Sequence, residues 1–542
     1  MKKYFLFVLG FVTIYPNLAF NQTVWKKYFN PPGTRSYART LCEAYDGGYL
    51  IGGNYKVTGI LDKAWLVKSD INGDLLYEKK LFAPENMAWI SCMSTTSDGG
   101  YIVGGGYTTS TPVWLSYVAK FNPCGEIEWC TTVEPPAPLH GAYFYGGIHE
   151  LPDGCYIGHR YLKIYSFDHD RQDLVKFNHD GSIQWINAYG HCTTGEWESD
   201  IGYWMMVTSD TGFLVSGESY YRVEPNKMSI RPMWYKVSND GELLWIRHWV
   251  TGYLYDSGEA RRTMESANGY SYFTSGKFGS PKQKPTLFKL STLGDTLFRQ
   301  RIWDDSLSYS GLAHEIHLYN DTSMLIATQY GLTSSDNWWS VNIIDTLGNI
   351  RDQINEEEDF IIVRLELTFD GKVIAQGVTD IGNSTHPEMF GLYKFNSDLE
   401  FDSIYTVPRV YDSLCPHPII SDTIILPDHC TTVSIPEIAF TAQLQQLKIF
   451  PNPCKDFITV EIPGYSVSFN NYGTLNEQRL RPLKGNVTFC IYNTQGKKIT
   501  QIEASANSKN LAVDISQWNS GIYFIELLHE SDRIATGKFI KY

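Results

Sequence analysis

A turn-and-strand phrase returns seven times along the chain, and this recurrence limits the fold more than any other feature. It reads DGGYLIGG from Asp46, SDGGYIVGG from Ser97, LPDGCYIG from Leu151, SDTGFLVSG from Ser209, GYSYFTSG from Gly269, NDTSMLIA from Asn320 and FDGKVIAQG from Phe369. A hairpin phrase follows each copy: LVKSDINGDLLY, VAKFNPCGEIEW, LVKFNHDGSIQW, WYKVSNDGELLW, LFKLSTLGDTLF, VNIIDTLGNI and LYKFNSDLEF. The hairpin glycines Gly73, Gly125, Gly181, Gly241, Gly294 and Gly348 stand 52, 56, 60, 53 and 54 residues apart, and Leu399 lies near the equivalent place in the seventh copy. A fixed period of this size marks an array of supersecondary units that must stack to bury their faces.

Period-2 alternation and Asp/Asn-Gly turns put four short strands in each repeat. In the second copy these are residues 90–96, 101–106, 115–121 and 126–133. Four strands per repeat at this spacing is the pattern of a propeller blade. The expected fold is all-β: a seven-bladed β-propeller over residues 23–407, followed by a small immunoglobulin-like β-sandwich. The opening stretch TVWKKYF, Thr23 to Phe29, matches the hairpin-end strand LLYEKKLF. It is expected to complete the last blade beside residues 402–407, which closes the ring and removes two open sheet edges. Units of this kind, a DGGYIVGG phrase followed by LVK and a Gly-containing hairpin, resemble the secreted propellers of Bacteroidetes-type bacteria. That resemblance bears on fold and says little of activity, because propellers host many functions.

Residues 1–22 read as a secretory signal peptide, with Lys2 and Lys3 before an apolar run from Phe5 to Tyr15 that Pro16 ends. The run is too short to span a bilayer, so no transmembrane anchor is expected. Ten cysteines without any C-x-x-C pair fit an oxidising compartment rather than a metal site. Cys415 and Cys430 flank a Pro-rich stretch and are the leading candidate disulfide. Cys454 and Cys490 are a second candidate pair, and the other six read as small buried residues.

The repeat stops at residue 407. Residues 408–440 hold five prolines and read as a linker. Residues 441–542 return to short alternating strands, a sandwich pattern. Within them stand Pro451-Asn452-Pro453 after Phe450, Ile491-Tyr492-Asn493-Thr494-Gln495-Gly496-Lys497, Gly521-Ile522-Tyr523-Phe524 and, near the end, Gly537-Lys538-Phe539. These motifs resemble the type A C-terminal sorting domain of the type IX (Por) secretion system, with residues 463–485 as an insertion. The resemblance implies engagement with the type IX secretion machinery, export across the outer membrane, removal of the sorting domain, and release or attachment at the cell surface.

Lys and Arg number 45 against 59 Asp and Glu, a net charge of −14. A general nucleic-acid binder needs a basic footprint, so that class is excluded. Tyr 36, Phe 27 and Trp 15 make the chain rich in aromatic side chains. Many of them fall in the stretches 134–147, 160–173, 189–203 and 218–232, expected as long loops on one face. Tyr143, Tyr161, Trp197 and Tyr220 are the candidate ligand-binding rings, suited to a glycan, a peptide or a surface protein. Six of the thirteen histidines lie between His140 and His191, and as single residues they read as chance or packing. A secreted polysaccharide hydrolase is the alternative, with Glu196 and Glu198, or Asp168 and Asp170, as carboxylate pairs by type. No cofactor is implied. No metal site is implied either: Asp70 to Asp74 reads as a turn, and His314-Glu315-Ile316-His317 is one residue short of the zinc-protease spacing.

Overall fold

The structure is a computed structural model. It describes residues 24–434 and 445–542 except 32–33, 58–61, 83–85, 109–112, 136–140, 164–170, 191–198, 225–226, 250–257, 277–283, 303–309, 332–337, 357–359, 380–388, 409–414, 416, 418, 462–485, 495–496, 506–507, 509 and 530–531. The signal-peptide reading therefore lies outside the described residues.

The first six repeats each fold into four antiparallel strands taken in chain order, and the seventh supplies three. The units span residues 34–81, 88–133, 141–189, 199–248, 259–301, 310–356 and 360–395. The turns follow from local chemistry. Asp70 accepts the backbone N–H groups of Asn72 and Asp74, which makes the segment an Asx turn. Gly73 closes it with φ +76°, and a Cβ there would meet the Trp25 ring at 2.8 Å. In the seventh copy Leu399 takes that left-handed position itself, with φ +56°.

One ion pair explains why Asp of the DGGY phrase and Lys of the LVK phrase recur together. Lys68, on the third strand of the first unit, reaches both carboxylate oxygens of Asp46 at 2.9 and 3.0 Å. Lys120 with Asp98, Lys236 with Asp210 and Lys394 with Asp370 repeat the contact at 2.7, 2.6 and 3.5 Å. The lysine ties the first turn of its unit to the third strand. That strand is buried along its length in the first unit, Lys63–Ser69. A strand covered on both faces reads as an apolar run, and its buried charge needs a partner.

Apolar clusters lie between successive units. One joins unit 2 to unit 3 through Ile102, Val118, Phe144 and Val175. Another joins unit 7 to unit 1 through Ile374, Phe390, Leu392, Tyr49, Trp65 and Val67. The first strands of successive units are neighbours, and the first strand of unit 7 neighbours that of unit 1.

The seventh unit takes its fourth strand from the start of the chain. Lys26–Phe29 pairs antiparallel with Phe390–Phe395, Lys26 opposite Tyr393 and Phe29 opposite Phe390. The expected partner, residues 402–407, forms no strand. The amino-terminal segment already occupies that edge, and the later residues turn aside, Thr406 exchanging two hydrogen bonds with Asn72.

Residues 415–434 do not behave as a free linker where they are described. Asp422–Ile424 adds a parallel strand to the outer edge of unit 1, and Cys430–Val433 does the same to unit 2. Leu426, between them, is fully buried in the apolar cluster of those two units. The expected Cys415–Cys430 bridge is corrected: Cys415 bonds Cys124, and Cys430 bonds Cys130. Cys430 stands opposite Cys130 in the strand register, so pairing the edges brings the sulfurs together. Cys454 and Cys490 are free and buried.

In the last hundred residues, a five-stranded and a three-stranded sheet share one apolar core that includes Ile458, Val460, Phe489, Ile525 and Phe539.

Candidate functional site

The first strand of every unit slips register against the second partway along, and that of the sixth unit does so again between Leu318 and Asn320. The slips fall at Arg39, Ser91, Tyr145 to Gly147, Tyr203, Arg261, His314 and Val363. A β-bulge leaves one residue unpaired and re-aims its side chain. Because the first strands neighbour one another in order, these residues form one set on adjacent strands.

Units 4 to 7 concentrate charge at this set. Glu315 accepts Arg262 Nε at 2.7 Å, Arg364 Nη1 at 3.1 Å and His317 Nε2 at 3.3 Å. The Arg262 guanidinium lies 3.8 Å from the Trp204 ring centre, and that of Arg364 5.6 Å. Arg261 pairs with Glu259 at 2.5 Å and covers the Tyr203 ring at 4.5 Å. Tyr203 donates its hydroxyl to Glu218 at 2.5 Å. Burial, then the charges of Glu218 and Glu259, hold that phenol well above its ordinary pKa. Burial and the neighbouring Arg261 push His314 down to about 3, so the ring is neutral. Burial lifts Glu366 to about 7. Burial opposes the charge on His317, but Glu315 outweighs it and the net direction is upward.

An aromatic run leads to these arginines. Trp114 meets Trp89 at 5.5 Å between ring centres, and Trp89 meets Tyr143 at 5.5 Å. Tyr143 meets Tyr161 at 5.1 Å and Tyr145 at 6.0 Å, and Tyr145 meets Tyr203 at 6.2 Å. Lys163 covers Trp114 at 4.6 Å. Tyr143, Tyr145, Tyr161 and Tyr203 are each half-buried.

Two of the rings chosen from sequence are thus in contact, but on strands rather than loops. Tyr143 lies in Gly141–Glu150 and Tyr161 in Tyr156–Lys163, as directly opposed cross-strand partners. Tyr220 lies in Phe213–Glu224, opposite Ile230 of unit 4. The expectation of loops there is corrected for these three residues, because glycine- and aromatic-rich stretches continue the ladder through cross-strand packing. Trp197 lies outside the described residues, as do Glu196, Glu198, Asp168 and Asp170. Of the clustered histidines, His149 bonds the Met205 carbonyl, and buried His159 bonds the Tyr145 carbonyl and Gln172. These two are core residues.

Sequence reading passed over Arg261, Arg262, Glu315 and Arg364. Their signal was charge inside the first strands of repeats five to seven, at EARRTME, AHEIH and IIVRLEL, where the earlier repeats are mostly apolar. Glu315 and His317 belong to the segment set aside as a zinc motif, and they serve an ion-pair cluster instead.

A second constellation lies in the carboxy-terminal sheets. Asn452 donates to the Lys538 carbonyl at 3.0 Å and accepts the Ile540 N–H at 2.9 Å. Both X-Pro bonds around Asn452, to Pro451 and Pro453, are cis. A Cβ on Gly537 would meet Ile449 at 2.7 Å, so the final strand passes too close for a larger residue. Tyr523 stacks on Phe539 at 5.4 Å and donates to the Asn519 carbonyl. Gly521 begins the strand that pairs with the final one, and Gly496 lies outside the described residues. The Pro-Asn-Pro motif and the terminal Gly-Lys-Phe motif, 86 residues apart at Asn452 and Lys538, are one structural unit.

Residues 448–542 match a protein-family model described as a secretion system C-terminal sorting domain. No curated protein matches the chain. Among solved structures, it is similar to a periplasmic gluconolactonase, PpgL, of Pseudomonas aeruginosa at 12% identity, covering 67% of this chain and 93% of that one, with a TM-score of 0.41. It is similar to a protein of unknown function from Bacteroides caccae at 13% identity, covering 57% and 93%, with a TM-score of 0.35. A protein of unknown function from Dyadobacter fermentans is similar at 12% identity, covering 67% and 99%, with a TM-score of 0.35. Among the described residues no helix is long and apolar enough to cross a membrane. The carboxy-terminal segment is a sorting domain of the type IX secretion system, and the protein that carries it is exported to the cell surface or the extracellular space.

Proposed function

We propose that this exported chain is a binding protein: a signal peptide at 1–22, a closed seven-bladed β-propeller over 23–407, a tethering segment at 408–440 and an immunoglobulin-like sorting sandwich at 441–542. Closure is supported by the pairing of Lys26–Phe29 with Phe390–Phe395 and by the apolar cluster joining units 7 and 1. The observation that carries the binding role is the continuous run Trp114, Trp89, Tyr143, Tyr161, Tyr145 and Tyr203, half-buried but for buried Trp89, which ends on Arg261. Such a run offers ring faces for stacking and a polar end for orientation, the composition of a glycan or peptide site. Glu259 and Glu315 pair with arginines, which suits them to orienting a ligand rather than to the proton donation a polysaccharide hydrolase requires.

The test is a glycan and peptide array probed with the full chain and with Tyr143→Ala/Tyr161→Ala. The wild type should bind a defined subset, and the double variant should lose most of that signal. Because both rings also pack, Tyr161→Leu is the companion: it keeps apolar volume and removes the stacking face. Loss in both variants with an unchanged melting temperature supports the site. Undiminished binding by both overturns it.

A further inference from the structure

Two adjacent arginines at the end of the aromatic run hold donors that no described residue accepts. Arg261 Nε and Arg262 Nη1 are buried atoms without a hydrogen-bond acceptor among the described residues. Arg262 as a residue is 5% exposed. A buried guanidinium donor left unmade costs more than a neutral one, so such atoms call for an acceptor. One further donor on each is paired, Arg261 Nη2 with Glu259 and Arg262 Nε with Glu315. The Arg261 side chain is 30% exposed, so it is the one a ligand reaches first. It stands at a bulge, aligned over the Tyr203 ring.

Resting on the binding role proposed above, we infer that Arg261 and Arg262 form the subsite for the carboxylate of an acidic saccharide, whose sugar rings lie along Tyr203, Tyr145 and Tyr143. Guanidinium forks match carboxylate geometry, and the aromatic faces match the apolar faces of a pyranose chain. A saccharide is favoured over an acidic peptide because three tyrosine rings precede the arginines, set edge to face at 78° and 75°, and aromatic faces accept the C–H faces of pyranose rings. The neighbouring His314 accords with this. Its neutral ring adds no competing cation, and its Nε2 is engaged by Gln329 at 3.0 Å.

The experiment is calorimetric titration of the full chain with tetragalacturonate, with neutral cellotetraose, and with a tetraglutamate peptide. Tetragalacturonate should bind at least about tenfold more tightly than cellotetraose, the span of one charge-assisted contact. Its affinity should fall with added salt. Arg261→Gln should abolish that preference in a chain that still folds, and Arg261→Lys, which keeps a charge beside Glu259, should keep part of it. If Arg261→Gln does not fold, the salt dependence and the acid-over-neutral ratio of the wild type decide. Equal affinity for the two saccharides, with Tyr161→Leu weakening both, overturns the carboxylate subsite and leaves the binding role standing. Tighter binding of tetraglutamate than of tetragalacturonate also overturns the saccharide assignment. Binding of none of the three overturns the carboxylate subsite.

Discussion

The Glu43 carboxylate accepts the backbone N–H of Phe369 at 2.6 Å, joining residues 326 apart in the chain. Glu150 and Glu265 make the same contact to the turns of the preceding units, at Ser97 and Ser209. In each case an acid at the end of a first strand caps the first turn of the unit before it. For Glu43 that preceding unit is the seventh, so the contact links the two ends of the array.

This contact carries a pH dependence. Burial raises Glu43 to about 7, although the Phe369 N–H pulls the other way. Between the ordinary carboxylate range and pH 7, the folded state holds a proton that the unfolded chain has lost. Stability from this group is therefore full below about pH 4 and declines as pH rises through 7. Glu366 moves in the same direction. Buried neutral histidines such as His149 and His159 act oppositely below their ordinary pKa. The difference between wild type and Glu43→Gln isolates the contribution of this carboxyl group. Melting temperatures from pH 4.5 to 8 should show the variant gaining on the wild type as pH rises, and parallel curves would refute the assignment.

The Lys68–Asp46 pair predicts an asymmetry between single and double replacement. Both side chains are nearly fully buried. Asp46→Ala strands the lysine charge and should cost about 3–5 kcal/mol in denaturant unfolding. Lys68→Met with Asp46→Leu should recover most of that loss, because an apolar pair needs no solvation. A double variant as unstable as the single one would show that the turn geometry, not the charge, is what Asp46 supplies.

Peptide mapping without reduction should find Cys124 linked to Cys415 and Cys130 linked to Cys430, and no Cys415–Cys430 peptide. Cys430→Ser should lower stability by about 2–4 kcal/mol. A protease site introduced after Val407 should give, once cut, fragments that separate only on reduction. Separation without reductant would contradict the two cross-links.

Deleting residues 441–542 should leave the repeat array folded and trapped within the cell envelope. The two carboxy-terminal sheets have their own apolar core, so their removal exposes none of the clusters between units. Asn452→Ala should act more mildly, since it loses two hydrogen bonds to the final strand and leaves that core intact. Export of the truncated chain at wild-type levels would be the failing result.

What the sequence alone determined was local or periodic. Asp-Gly turns, alternating strands and the lysine of each third strand are set by neighbours within one repeat, and seven copies reinforce the reading. The sorting motifs were legible for the same reason, as short fixed strings. Tyr143 and Tyr161 were found because aromatic residues cluster along the chain, although their place on strands was not. Tertiary structure decided what depends on distant pairing. The amino-terminal strand, not residues 402–407, fills the edge beside Phe390–Phe395, since two segments of one pattern compete for one row of hydrogen bonds. Cys415 meets Cys124 rather than Cys430 because the intervening segment lies along two outer strands and holds the two cysteines apart. The Arg261, Arg262, Glu315 and Arg364 cluster assembles from three repeats. No spacing in the chain encodes it, because each repeat supplies only one or two members and the stacking of the first strands brings them together.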